Sequence, residues 1–186
     1  MTLVEGASLV LLDASVGATT GRSDPPSLGG SRWAVECRGH RNGTLPALDL
    51  PGHRRLVEFV TGVVAEAVAG EDSSVAGIHD VSGGGLGVAL AEMAVRSGIG
   101  LRVAGVADHH ELFTEAPSRV VVCTTDRAGL ISRAAGAGVA FRVLGEAGGD
   151  RVVVEGLVDV GVREATEAWR GRLPSLLDEL APAITS

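Results

Sequence analysis

Between positions 53 and 67 the apolar residues return every three or four places, at Leu56, Val60, Val63, Val64 and Ala67. One face of a helix collects all five, and the spacing predicts an amphipathic helix of about five turns starting at His53. Val75–Ile78 then predicts a buried strand. A second helical face follows at Leu86, Leu90, Met93 and Ala94. Gly98 ends it, because glycine readily takes the left-handed conformation of a helix stop. Arg119–Thr124, "RVVVCT", is the clearest strand of the chain, and Asp126 is placed to cap a helix over Ala128–Ala135. Ser8–Leu12 reads as a further strand. "VAFRVLG" (139–145) and "DRVVVEG" (150–156) are strand-like and joined by "EAGG", which predicts a hairpin. Val162–Leu180 reads as a helix with a break at Pro174, carrying Trp169, Leu173, Leu176 and Leu177. Arg32–Cys37 fits a strand or a first helical turn equally. Residues 14–30, rich in Gly, Ser, Thr and Pro, read as a loop or mobile arm. The pattern predicts an α+β domain with a mixed β-sheet and helices mainly on one face.

Composition narrows the picture in a few places. The 186 residues suit one domain, expected over 8–180 with an N-terminal extension at 1–7 and a tail at 181–186. Three Phe, two Trp and no Tyr leave the core to Val, Leu and Ala. A formal charge of −7 argues against nucleic acid as a partner, since phosphate backbones reward clustered basic residues. The chain contains no lysine, so a P-loop lysine is excluded. Cys37 and Cys123 match no metal spacing and read as reduced thiols. No apolar run approaches the ~20 residues of a membrane span, so no membrane partner and a cytoplasmic location are expected.

Candidate chemistry gathers at "HDVSGGGLGVALAEM", residues 79–93. A strand, a glycine turn and a helix start make a phosphate cradle: glycine lets backbone approach, and free amides at a helix N-terminus face an anion. Gly83, Gly84 and Gly85 would form the cradle, and Ser82 would add a hydroxyl donor. Asp80 could hold a divalent cation beside a phosphate. His79 could orient Asp80 or touch a ligand. The competing reading is close packing of helix on strand, with His79 a structural histidine and Asp80 a turn cap. Glu115, Ser118 and Arg119 precede the strongest strand. They could face a site, or Glu115 and Arg119 could form a surface ion pair worth under about 1 kcal/mol. Gly29, Gly30 and Ser31 read as an ordinary turn. Adjacent His109 and His110 would face different ways on a helix, which disfavours a metal site there.

Taken in order, "LGGSRW", "LPALDLPGHRRLVEFV", "HDVSGGGLGVALAEMAVRSGIG" and "LFTEAPSRVVV" resemble the C-terminal part of the phosphoribosylformylglycinamidine synthase family. The glycine motif alone also resembles the wider aminoimidazole ribonucleotide synthetase-related superfamily, while "LFTEAPSR" points to the purine enzyme. The resemblance covers about residues 8–175 and implies the C-terminal domain type of that superfamily. It implies a share in a ligase that converts formylglycinamide ribonucleotide, ATP and glutamine-derived ammonia to formylglycinamidine ribonucleotide. ATP would activate the amide oxygen as an iminophosphate, and ammonia would displace the phosphate. The expected partners are N-terminal-type domains of the same synthase, a glutaminase and small accessory subunits; the isolated chain is expected to be inactive and to self-associate. ATP or ADP with Mg²⁺ is the implied cofactor of the full enzyme. Asp80 matches a magnesium-ligand position, and Ser82 a nucleotide-contacting position of an auxiliary site. The family usually has an acidic or other polar residue where Gly83 stands, which makes a bare phosphate cradle the expectation here. No catalytic residue is expected. An interaction module with a decayed pocket and a small-molecule kinase relative are the alternatives.

Overall fold

In the computed structural model, which describes residues 2–15 and 27–184, seven strands form one mixed sheet. Across the sheet run β2 (Val75–Asp80), β4 (Arg119–Thr124), β1 (Ser8–Asp13), β5 (Phe141–Ala147), β3 (Leu101–Val103), β6 (Arg151–Val154) and β7 (Val158–Gly161). Neighbours are antiparallel except β3 and β6, which run parallel. Among the described residues there are six helices: α1 (Arg32–Arg38), α2 (Leu50–Ala69), α3 (Gly85–Ser97), α4 (His109–Phe113), α5 (Arg127–Gly136) and α6 (Val162–Ile184).

The unbroken apolar run of β1 explains the layering. Successive side chains of a strand point to opposite faces, so Leu9–Leu12 demands cover on both. Leu9 and Leu11 join Val121, Cys123, Leu86, Leu90 and Met93, with Leu112 of α4 and Val162 of α6. Val10 and Leu12 join Val122, Leu56 of α2, and Leu130 and Ala134 of α5. The expected mixed α+β sheet is present. Its helices divide between the two faces rather than gathering mainly on one, because the central strands are apolar on both sides. Leu3 and Ala7, ahead of β1, are buried in the α3 face.

The predicted hairpin between residues 139–145 and 150–156 does not form. β3 lies between the two strands, antiparallel to β5 and parallel to β6. "EAGG" instead bends around the entry to β3, with Gly100 N–H donating to Gly149 O at 2.7 Å and Gly148 N–H to Gly100 O at 2.8 Å. A Cβ on Gly145 would run into the Arg102 carbonyl, and one on Gly100 into Arg151 backbone. Glycine at both positions lets β3 enter. The hairpin of this region joins β6 to β7. Nor does Pro174 break α6, which runs through it. Pro174 is exposed, so the backbone donor it removes is not a buried loss.

Arg32–Cys37 resolves as helix. Ser31 caps it, accepting from Ala34 N–H at 3.2 Å, and Gly39 closes it in the left-handed region. Helix α2 begins three residues before His53, with proline in its first turn where no amide is needed. The centre of the arm expected over 14–30, residues 16–26, lies outside the described residues.

Candidate functional site

The end of β2 and the start of β4 face α2 across an open cleft of about 520 Å³. Leu56, Val57, Val60 and Thr61 of α2 make one wall, with His53 at its end. Asp80, Ser82 and Gly83 line the cleft from one side, and Glu115 to Val120 from another.

Strand alternation sorts the predicted residues. Asp80 pairs with Val120, and His79 with Val121, so the two side chains take opposite faces. Asp80 stands in the cleft with its side chain 67% exposed. His79 is buried towards α3, where Nε2 meets Glu92 Oε2 at 3.0 Å and Nδ1 meets the Asp80 carbonyl at 2.7 Å. Both ring nitrogens are engaged, which makes His79 a tie between β2 and α3 rather than a wall of the cleft.

The three glycines also divide. Gly84 and Gly85 are buried at φ 88° and 67°, in the left-handed region that L side chains rarely adopt. A Cβ on Gly85 would lie 2.7 Å from the Phe113 carbonyl carbon, and one on Gly84 would run into Val88. These two glycines shape the entry to α3 and its packing on α4. Gly83 is exposed and lines the cleft, and a Cβ there would meet only Arg32 Cδ, at 3.4 Å.

Glu115 does not pair with Arg119. Its Oε1 accepts from Gly84 N–H at 2.8 Å and from Arg32 N–H at 2.6 Å. One carboxylate oxygen thus holds the starts of α3 and α1 together, at the positive ends of both helix dipoles. Gly85 N–H is taken as well, donating to Ser82 O at 2.9 Å.

Ser118 is the non-glycine residue with positive φ, 66°, among the described residues. Such geometry is uncommon and clusters at functional positions. Its Oγ lies 2.8 Å from His53 Nδ1, and its carbonyl accepts from Ala14 N–H at 2.8 Å. His53 carried no distinguishing sequence signal, because only the fold brings the first turn of α2 to Ser118. Arg119 contributes to the cleft wall, but alternation puts its side chain on the face of Val121. There Nε sits 3.4 Å from Asp13 Oδ2, and burial lowers the guanidinium pKa from its ordinary value while Asp13 opposes the shift. The structure therefore gathers Asp80, Ser82, Gly83, Glu115 and Ser118 at one cleft with His53. It sends His79 and the Arg119 guanidinium elsewhere.

The comparisons with known proteins agree with this architecture. Residues 23–156 match the family model described as AIR synthase related protein, C-terminal domain. The chain belongs to this family. Within the AIR synthase related family, the chain is 40% identical over 153 residues to phosphoribosylformylglycinamidine synthase subunit PurL of Nocardioides sp., covering 81% of this chain and 19% of the relative. The PurL of Brucella ovis is 36% identical over 178 residues, covering 94% of this chain and 22% of the relative. The chain thus spans about a fifth of the length of the curated relatives it matches. Among solved structures, T. maritima PurL complexed with ATP superposes with TM-score 0.61 at 16% identity, covering 89% of this chain and 27% of that one. T. maritima PurL complexed with FGAR gives 0.62 at 16% identity, covering 89% and 28%. At that identity the likeness is one of fold.

Proposed function

We propose that this chain is the C-terminal-type domain, residues 8–180, of an ATP-dependent carbon–nitrogen ligase that makes formylglycinamidine ribonucleotide in the cytoplasm. The observation that carries the reading is the 40% identity to PurL over 81% of the chain. N-terminal-type domains of the same synthase would complete the enzyme, with a glutaminase and small accessory subunits supplying ammonia. The domain's own part is to hold a nucleotide or phosphate group in the α2 cleft. Leu56, Val57 and Val60 offer an apolar wall for a planar ring, and Ser82 offers a hydroxyl donor at the other side. Hydrogen-bonded His53 and Ser118 form a polar corner between them.

Mg²⁺ would supply charge neutralisation of the phosphates. Asp80 fits it as a hard, exposed carboxylate that needs phosphate oxygens and water to complete the shell. Among the described residues no group of three or more His, Cys, Asp or Glu is arranged to hold a metal alone. On this proposal the metal would be held by Asp80 together with phosphate oxygens and water.

Titration of the chain with ADP and Mg²⁺, with inorganic phosphate as control, tests the proposal. Saturable millimolar or tighter binding of ADP with Mg²⁺ that shifts cleft signals is expected; no binding of the nucleotide removes the pocket role. A second reading, an interaction module, is favoured by exposed Leu45, Leu48, Leu50, Val57, Val64 and Val68 on and before α2. These residues would pack on the rest of a synthase and would drive self-association of the isolated chain. Light scattering that finds only monomer at high concentration argues against it.

A further inference from the structure

The glycine turn has the outline of a phosphate cradle, yet its central amide is already spoken for. Glu115 Oε1 lies 2.8 Å from Gly84 N and 2.6 Å from Arg32 N. It therefore stands where an anion bound to the start of α3 would place an oxygen. The neighbouring Gly85 amide is closed onto Ser82 O.

The charges around the turn point the same way. Asp80 and Glu115 both line the cleft. Arg119, the basic residue of the lining apart from His53, directs its guanidinium towards Asp13 on the other face. The chain has no lysine, and the cation beside the turn is the exposed Arg32, whose Cδ would lie 3.4 Å from a Cβ on Gly83. A phosphate aimed at the Gly84 amide meets the Glu115 carboxylate there and finds the best donor occupied, with Arg32 outside the turn as the remaining attraction.

We infer that Glu115 is a specificity-determining residue: an internal anion that seals the glycine turn and bars metal-free phosphate from the cleft. This rests on the reading of the cleft as a ligand site, and the two can fail separately. Its role differs from an ordinary helix cap, because the side chain also sets which charge state of a ligand the cleft accepts. Gly83, exposed and unstrained, is the part of the turn left for a ligand to approach.

Amide NMR of the full 186-residue chain tests the inference, with wild type, Glu115→Ala and Glu115→Gln each titrated with inorganic phosphate. In wild type, the Gly83–Gly85 amides should stay in place through the millimolar range. In Glu115→Ala they should shift and saturate, with phosphate affinity raised roughly tenfold or more as the like charge is removed. Glu115→Gln keeps an oxygen acceptor without the charge and should fall between the two. Should Glu115→Ala fail to fold, any gain over wild type in Glu115→Gln supports the inference and none overturns it. A wild-type Gly84 amide that moves as far as the Glu115→Ala amide overturns it too, as does the absence of any gain in both variants. A parallel titration with ADP and Mg²⁺ separates the two readings. Phosphate gain in Glu115→Ala without nucleotide binding in wild type leaves the seal standing and removes the nucleotide pocket; the reverse result removes the seal alone.

Discussion

His79 and Asp80 are adjacent in the chain, and the sheet assigns them to different worlds. On the His79 face, α3 lies flat on the strands, with Leu86, Leu90 and Met93 fully buried and Glu92 gripping the imidazole. On the Asp80 face, α2 buries Leu56 and Val63 but leaves Val57 and Val64 at 47% and 41% exposure, and a cleft opens beneath it. The sheet-facing side of α3 has committed its residues to packing, and its outer side, with Val88 exposed, borders a groove against α6 and its exposed Trp169. The loose face has side chains left over for a ligand or a neighbouring domain. The tightly packed side of the sheet is thus the α3 side, and the proposed ligand cleft lies on the α2 side.

The sharpest way to break this contrast is to cut one apolar side chain on each face. Leu90→Ala should cost about 2–5 kcal/mol, since it leaves a cavity in the fully buried α3 core. Val57→Ala should cost no more than about 0.5 kcal/mol. Chemical denaturation of both variants measures the gap, and equal losses would erase the distinction between the faces.

The glycine turn repeats the contrast on a smaller scale. Gly85→Ala forces a left-handed backbone and a contact with Phe113, and should destabilise by about 1–3 kcal/mol. Gly83→Ala, at the cleft surface, should stay within about 0.5 kcal/mol of wild type. Thermal melts of the pair decide this.

Asp80→Ala sharpens the comparison from the functional side. It should weaken Mg²⁺-dependent ADP binding roughly tenfold or more, with the melting temperature barely moved. His79→Ala should do the opposite, lowering stability while sparing the nucleotide. Calorimetric titration and a melt on each variant would expose any exchange of these roles.

The two thiols mark buried and open parts of the molecule. Cys123 is buried against α3, and burial raises its pKa; Cys37 is exposed. One thiol should react promptly with a disulfide reagent in the native chain, and the second only on unfolding. Prompt reaction of both would mean that the dense face opens readily.

The smallest effect is expected at Asp72, beyond the C-terminal end of α2. The Ser74 hydroxyl and amide hold its carboxyl below the ordinary range, assisted by Arg133. A carboxylate depressed in the fold stabilises above its unfolded value of about 3.9 and loses that contribution as pH falls through the folded value. The stability difference between wild type and Asp72→Asn should therefore shrink on acidification below about pH 4. A difference that grows there would reverse the sign.

Much of the secondary structure was legible because its signals are local. Arg119–Thr124 has the bounds read from its apolar run, and the α3 face at Leu86, Leu90, Met93 and Ala94 is wholly buried. Asp126 caps α5 through Gly129 N–H, as its place before the helix suggested. β3 was not legible, because three residues carry too little periodicity to register. With β3 unseen, the neighbouring runs looked like a hairpin. The candidate site was legible in part: Asp80, Ser82, Gly83, Glu115 and Ser118 do meet at one cleft.

By itself, then, the sequence determined the strands and helices whose apolar residues repeat along the chain, and the short motifs on which the family resemblance was read. Those follow from propensity and periodicity, which act over a few residues. Only the tertiary structure decided that β3 separates β5 from β6, that His53 meets Ser118, and that Glu115 caps Gly84 from 31 residues away. Each of these depends on distant segments packing together. A hydrogen bond between them leaves no period in the sequence, so the same glycine turn reads as an open cradle in the chain and stands sealed by a carboxylate in the fold.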